Sequence, residues 1–457
     1  MENSITVDFE STLEIAPIPH ATSIVISGKL TPPQIATAYN IPPGDGANVK
    51  VAIISLGGGW KQSDLNLSMN DLGLVPPTIN QVLVGNATGT FTGSVPDIEN
   101  TLDIYCVAGM APKANITIYI GGGTGFTYAT NPTVAANINL TSNFSNVINR
   151  ALEDNPDIIT ISWGGPEKIN YNGTTFYCGD YLAGPLATAA AKGTAVFVAS
   201  GDYGSSAIDD LQFTGNIVCV DYPSSNANTI SVGGTWLTLG AGNTRAYEYA
   251  VTQSGGGVSS VTPRPNWQAN STYQTFNKST NVTGPATVLS GKGVPDISAP
   301  FYNYSMYFNG NIVVANGTSA SAPIMAGMIA RFIGLQKGRR PRSLNPIFYN
   351  NINAFSTLNA ANTLLNLIGI VTGNNADLLP DGYKVTDGWD AVVGLGPPNG
   401  QPIYKKIYPD TIKIKDTANT WQTVHTIKVK TANISNPWAN VTAVWTKTGP
   451  TTWTQIY

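Results

Sequence analysis

Three short stretches of this 457-residue chain carry residue types at spacings that could do chemistry. In "NGTSASAPIMAGMIA", Ser319 stands between Thr318 and Ala320, just ahead of an apolar, helix-like run that contains Pro323. Capping alone would explain such a run, because Ser and Thr accept hydrogen bonds from a first turn and Pro is tolerated there. The chemical reading makes Ser319 a nucleophile whose hydroxyl sits in the positive field of a helix N-terminus. A serine nucleophile needs a base. The usual one is His, but the chain has only His20 and His425, neither beside a strand end of its central part. Carboxylates remain.

"PDIENTLDIY" sets Glu99 and Asp103 at i and i+4, one turn apart on one helical face. Like charges so placed destabilise a helix unless they share a proton or a partner. The neighbours Ile98, Leu102, Ile104 and Tyr105 point to a buried helix; the ordinary alternative is two solvated carboxylates on an exposed face. "VFVASGDYGSS" places Asp202 straight after an apolar strand in a Gly-flanked turn, where a turn-forming Asp is also common.

The elements that must position these residues follow from periodicity. "VKVAIISLGGG", "NITIYIGGG", "DIITISWGG" and "TAVFVASGD" read as short buried strands, and "DIENTLDIYCVAGMAP", "NFSNVINRALEDN" and "YLAGPLATAAAKG" as helices. That alternation predicts an α/β fold with a doubly wound, mostly parallel sheet. Gly, Ser and Asp gather at the strand ends, where open α/β sheets place their sites. Residues 1–45 read as an extended arm, 46–400 as the main domain and 401–457 as a β-rich tail. That tail carries a weak repeat, "WQTVHTIKVK", "WANVTAVWTK" and "WTQIY". An edge hairpin of the main domain is the alternative reading of the tail.

Composition narrows the class. Charged residues make up 11 %, against about 25 % in ordinary globular proteins. With 24 Lys and Arg and 2 His, little positive charge accumulates on acidification, so acid tolerance is expected. A net charge of −3 with no basic stripe excludes a nucleic-acid partner. No stretch reads as a membrane span, and "MENSITVDFESTLEIAPIPH" lacks the charged start and apolar core of a signal peptide. Cys106, Cys178 and Cys219 allow one bridge, Cys178 to Cys219, or three buried thiols. Asn316 lies in an Asn-x-Ser/Thr triplet inside the serine motif, so such triplets read mostly as chance.

In order along residues 30–400, "LTPPQIATAYNIP", "VKVAIISLGGGW", "ENTLD", "ISWGGPE", "SGDYG", "SGGGVSS", "VPDISA", "NGTSASAP" and "GWDAVVGLGPPNG" resemble the sedolisins, or serine-carboxyl peptidases, in their kumamolisin-like form. The resemblance implies a subtilisin-like fold and an acid endopeptidase acting on protein or peptide substrates. It implies Ser319 as nucleophile, Glu99 as general base, Asp103 as the group that orients Glu99, and a protonated Asp202 as donor to the oxyanion. It implies a substrate strand at Ser162, Trp163, Gly164 and Gly165, with a second edge at Ser254, Gly255 and Gly256. It also implies calcium held by Ile370, Gly388 and Asp390. Gly369 stands where the family has Asp, and Thr386 where it has Gly, which weakens a hard-cation site unless Asp377, Asp381 or Asp387 compensates. Ser55 replaces a Glu that relatives bond to the catalytic Glu. The family's long propeptide has no counterpart in the sequence, which implies trimming or folding without one. The expected setting is secreted or virion-associated and acidic. The alternative function is a structural or adhesive virion protein on a sedolisin scaffold, with assembly contacts through 401–457.

Overall fold

The apolar runs assemble into one twisted sheet in the computed structural model. Its strands are Lys50–Leu56 (β1), Asn80–Val84 (β2), Asn115–Gly121 (β3), Ile158–Ile161 (β4), Ala195–Ala199 (β5), Ile230–Leu239 (β6), Arg245–Ala250 (β7) and Ile297–Pro300 (β8). Their order is β7-β6-β5-β4-β1-β3-β2, with β8 also on β6. Every pairing is parallel except that of β6 with β7. The structure describes residues 12–15, 18–19, 29–122, 126–129, 143–171, 174–178, 182–207, 217–352, 355, 373–409 and six short strands within 413–455.

Parallel strands need crossovers, and helices supply them. They include Pro32–Ala38 (α1), Gln62–Asp71 (α2), Val95–Met110 (α3), Asn143–Glu153 (α4), Ala183–Ala191 (α5) and Thr318–Leu335 (α6). Side chains alternate along a strand. Ala52, Ile54 and Leu56 therefore share one face with Ile159, Ile161, Val196 and Val198, covered by Phe144, Val147 and Ile148 of α4 and Leu186 and Ala189 of α5. Val51, Ile53 and Ser55 turn to the other face, where α3 and α6 pack against each other and the sheet. Gly327 permits that crossing, since a Cβ there would lie 2.6 Å from the Met110 Cβ. One helix, α6, does reach the length and apolarity of a membrane span, contrary to expectation, but it is buried inside the protein.

Two expectations need correcting. Residues 29–45 are not an extended arm, because α1 begins at Pro32 behind Thr31, whose N–H and hydroxyl both donate to Gln34. The tail does not turn β-like at 401: Gly400–Ile407 is helical, with Ile403 and Ile407, one turn apart, buried. The compact body runs to Ile407, and Tyr408–Tyr457 forms a second unit. Within that unit three antiparallel pairs repeat one register, setting Lys415 against Trp421, Lys430 against Trp438 and Lys447 against Trp453. Cys106, Cys178 and Cys219 are three buried thiols with no disulfide. Asn316 is also buried, and its side chain accepts the Asn303 N–H at 2.8 Å.

Candidate active site

α6 begins at Thr318, so Ser319 is its second residue and wholly buried. Gly317 precedes it at φ 134°, in the region that favours glycine, and donates its N–H to the Phe301 carbonyl at 2.8 Å. Pro323 therefore sits inside the helix, not in its first turn. A helical carbonyl normally bonds the N–H four residues on. Pro323 has none to offer Ser319. The Ser162 hydroxyl lies 3.2 Å from the Ser319 carbonyl instead, and it donates to Asp103 Oδ1 at 2.7 Å. One hydroxyl at the end of β4 thus connects the Ser319 backbone to the carboxyl pair.

α3 presents that pair. Its start is anchored by Asp97, whose carboxylate accepts N–H groups from Gly59 at 2.5 Å, Thr92 at 2.8 Å and Ser94 at 2.9 Å. Burial pushes Asp97 upward, but those donors outweigh it and hold the carboxyl below its usual range. Glu99 and Asp103, one turn apart, are both fully buried. Burial lifts Glu99 well above the carboxylate range and the Asp103 charge lifts it further, while the Ser319 hydroxyl works against both. Asp103 is lifted by burial and opposed by Ser162. Ser319 Oγ, both Glu99 oxygens and Asp103 Oδ2 are buried without a hydrogen bond of full geometry. Two buried carboxyls this close titrate as a pair and retain a proton between them.

Asp202 lies in the turn after β5 and faces the start of α6. Its Oδ1 accepts the Thr318 N–H at 2.8 Å and the Thr318 hydroxyl at 2.7 Å. Its Oδ2 is buried with no partner. Burial raises the carboxyl to about 7 against the two Thr318 bonds, so it is neutral in acid. Because Oδ1 already accepts two hydrogens, the proton of that neutral form belongs on Oδ2 and can be donated. Gly201, at φ 106°, lets Asp221 close in behind; a Cβ there would come 2.2 Å from Asp221 Oδ2. Asp221 is raised by burial, then by the charges of Asp202 and Glu167.

Ser55 does not reach the carboxyl pair. It donates to Asn100 Oδ1, and Asn100 in turn donates to the Gly57 and Gly59 carbonyls, both at 3.1 Å. The expected substrate strand, Trp163–Pro166 following Ser162, is paired on both sides. Tyr222 and Asp221 oppose Gly165 and Pro166, while Ile18 and Pro19 oppose Gly164 and Trp163, all antiparallel. The edge expected to take an extended peptide thus holds one, from the chain's own N-terminal region.

The second expected edge is not an edge. Gly255 N–H donates to the Gly201 carbonyl at 2.7 Å and Gly256 N–H to the Gly204 carbonyl at 3.3 Å, while Ser254 Oγ joins Gly234 N–H to the Val392 carbonyl. Cβ atoms at Gly255 and Gly256 would each sit 2.2 Å from a backbone oxygen. Gly255 lets this segment brace the Asp202 turn at close range, and Gly256 lets it pass the Ala391 carbonyl.

Of the expected calcium ligands, Ile370 and its neighbour Gly369 lie outside the described residues. Asp390 is buried, and its oxygens accept N–H groups from Val392 at 2.8 Å, Val393 at 2.9 Å and Thr386 at 3.3 Å. Gly388 makes the turn at φ 86°. Burial raises Asp390 to about 7. A carboxyl ringed by N–H donors holds a loop closed and does not suit a cation, and among the described residues no cluster of three or more metal-ligating side chains occurs. Among the described residues, Asp390 with its three N–H donors does not by itself fit calcium.

Three buried residues tied to these turns escaped the sequence reading: Thr318, Asp221 and Glu167. Glu167 is buried beyond the cleft strand and accepts Ser259 Oγ at 2.7 Å and Ser260 N–H at 2.6 Å. Its place directly after "SWGGP" was the one available signal.

The sequence model of the subtilase family matches residues 85–373. Kumamolisin of Bacillus sp. (strain MN-32) is 32 % identical over 83 % of this chain and 64 % of its own length. Tripeptidyl-peptidase 1 of Dictyostelium discoideum is 27 % identical over 76 % of this chain and 52 % of its own length. The chain thus spans less than two thirds of these relatives. Among solved structures, a Pseudomonas sedolisin (serine-carboxyl proteinase) complexed with two molecules of pseudo-iodotyrostatin superposes with a TM-score of 0.63 at 22 % identity, covering 84 % of this chain and 99 % of that one. The chain belongs to the subtilase family, has a subtilisin-like fold, and is similar to kumamolisin and to sedolisin.

Proposed function

We propose that the protein is an acid-acting serine-carboxyl endopeptidase that cleaves peptide bonds through an acyl-enzyme on Ser319. The observation that carries this reading is the convergence of four buried groups, Ser319, Glu99, Asp103 and Asp202, each with a polar atom that lacks a close partner. A structural protein gains nothing from leaving such atoms unsatisfied, since each costs on the order of 1–3 kcal/mol. The peptidases among its relatives support this reading over a scaffold without activity.

In this mechanism Ser319 Oγ attacks the scissile carbonyl carbon while its proton passes to Glu99. The carbonyl oxygen becomes an oxyanion and receives the Asp202 Oδ2 hydrogen and the Ser319 N–H, one of the first-turn donors a helix leaves open. Glu99 then returns the proton to the leaving amine, and the C–N bond breaks. Water, deprotonated by Glu99, hydrolyses the resulting ester. Asp103, held by Ser162, shares the proton of the pair and spares Glu99 a full buried charge. The low charge content and the raised Asp202 value support an acidic setting. The assembly role of the tail rests on its repeated Lys–Trp register alone.

The test is hydrolysis of an internally quenched peptide between pH 3 and 7 by the wild type and by Ser319→Ala. Activity that is confined to acid and lost with Ser319→Ala is expected. Equal rates for the two would overturn the reading, and strong inhibition by a His-directed chloromethyl ketone would contradict a base without His.

A further inference from the structure

One aromatic surface is left unused by the mechanism, and it begins at the nucleophile's own turn. Phe301 donates its N–H to the Thr235 carbonyl at 2.7 Å, and its carbonyl accepts the Gly317 N–H at 2.8 Å. The next residues in sequence after Phe301 and Thr235 are Tyr302 and Trp236, whose rings lie 4.9 Å apart. Tyr302 also donates its hydroxyl to Gln253 Oε1 at 3.0 Å, and the Gln253 backbone carbonyl accepts the Gly204 N–H at 2.9 Å. Tyr302 is thereby bracketed between the Ser319 turn and the Asp202 turn. Trp236 stands directly opposite Tyr249 across the β6–β7 ladder, and Thr238 opposite Tyr247. Opposed residues share a face. Tyr247 and Tyr249 stack at 6.3 Å with 11° between their planes and are 53 % and 51 % exposed. Four rings thus form a stripe running outward from the catalytic turns.

The sheet order says which part of a substrate meets it. The cleft strand follows β4, Asp202 follows β5, and Trp236 belongs to β6, the next strand over. A peptide that takes the place of Ile18 and Pro19 on the cleft strand ahead of its scissile bond, and sets its carbonyl at Asp202, would run on past Ser319 towards β6. We propose that the stripe Tyr302–Trp236–Tyr249–Tyr247 binds the carboxyl-side residues of a polypeptide substrate and selects aromatic or large apolar side chains two and three positions beyond the cleaved bond. Aromatic pairs reward offset and tilted contacts, and ring stacking tolerates varied partners. This inference rests on the peptidase reading for the identity of its ligand.

Two measurements separate its failure from the failure of that reading. In the first, quenched peptides differ only at the second and third positions after the cleaved bond, carrying Phe-Tyr or Gly-Gly. The wild type should prefer Phe-Tyr by about fivefold or more in kcat/KM, mostly through KM, as one aromatic contact predicts. Trp236→Ala and Tyr249→Ala should each bring that ratio towards one. In the second, the tetrapeptide Gly-Phe-Tyr-Gly, with a free amino end, is titrated into Ser319→Ala, with and without Trp236→Ala, following NMR shifts of aromatic resonances. Binding that needs Trp236 supports the stripe even if no hydrolysis is seen. A ratio near one in the wild type, or a ratio and peptide binding indifferent to Trp236 and Tyr249, overturns it. Binding of cello- or chito-oligosaccharide in place of the peptide overturns it as well.

Discussion

At the scale of single residues, the proposed role of Asp202 sets the expected pH behaviour. Its carboxyl, raised to about 7 by burial, carries a donatable proton below that pH and loses it above. Oxyanion stabilisation should therefore be present in acid and fall away as pH rises through about 7. Asp202→Asn keeps a donor that does not ionise. It should retain part of the activity and hold a larger share of its own maximum at pH 8 than the wild type does. Profiles of kcat/KM against pH check this, and a variant as inactive as Ser319→Ala at every pH would show that Asp202 is not a donor. Thr318 belongs to the same argument, because its two bonds to Oδ1 leave Oδ2 as the oxygen placed to carry a donatable proton.

Between elements, two contacts set the site's geometry. α3 and α6 can bring Glu99 to Ser319 only at the separation Gly327 allows. Gly327→Ala forces a methyl into the Met110 side chain, and overpacking of this kind costs about 1–3 kcal/mol. A lower Tm and a lower kcat together are expected, since the carboxyl pair moves with α3; an unchanged Tm would mean that the crossing is slack. The pairing of Ile18 and Pro19 with Gly164 and Trp163 occupies the strand edge that β-addition of a substrate would need. Removing residues 1–28 should therefore raise kcat/KM for peptides long enough to reach that edge, and raise it less for short ones. Equal rates before and after removal would show that the segment does not compete.

For the molecule as a whole, buried carboxyls link stability to pH. Glu99, Asp103, Glu167, Asp202, Asp221, Asp296 and Asp390 all have values raised by burial. A group raised in the native state holds its proton more tightly than in the unfolded chain, so it stabilises below the unfolded value and that contribution is lost as pH climbs through the folded value. For Asp202, moving from 3.8 to about 7, this is on the order of 4 kcal/mol across the window. Asp97, held low, works in the opposite sense only at the acid end. Tm should peak near pH 4 and decline to pH 8, less steeply in Asp202→Asn, as calorimetry across that range would read. A Tm that rises with pH would contradict the burial of these groups as acids. Chelator should leave Tm unchanged, because Asp390 is satisfied by three N–H groups. A fall of several degrees would show that a cation is held after all.

What the sequence determined by itself is local. Hydrophobic runs ending in Gly, Ser and Asp fixed parallel strands and the edge where a site must lie, because side-chain period and turn chemistry act within a few residues. The i, i+4 spacing of Glu99 and Asp103, and Ser319 ahead of an apolar run, were legible for the same reason. Tertiary structure decided everything that depends on which backbone groups find partners far along the chain. Pro323 reads as a first-turn proline until the helix is seen to start at Thr318, when it becomes the residue that leaves the Ser319 carbonyl to Ser162. Ser162 meets Asp103, 59 residues away, and Thr318 meets Asp202, 116 away, separations that no periodicity encodes. "SGGG" and "SWGG" look alike as sequences. Yet the N–H groups of Gly255 and Gly256 are consumed by the Asp202 turn, while Gly164 and Trp163 pair with an added segment. Hydrogen-bond saturation belongs to the folded chain, and that is why only the fold could tell a brace from a binding edge.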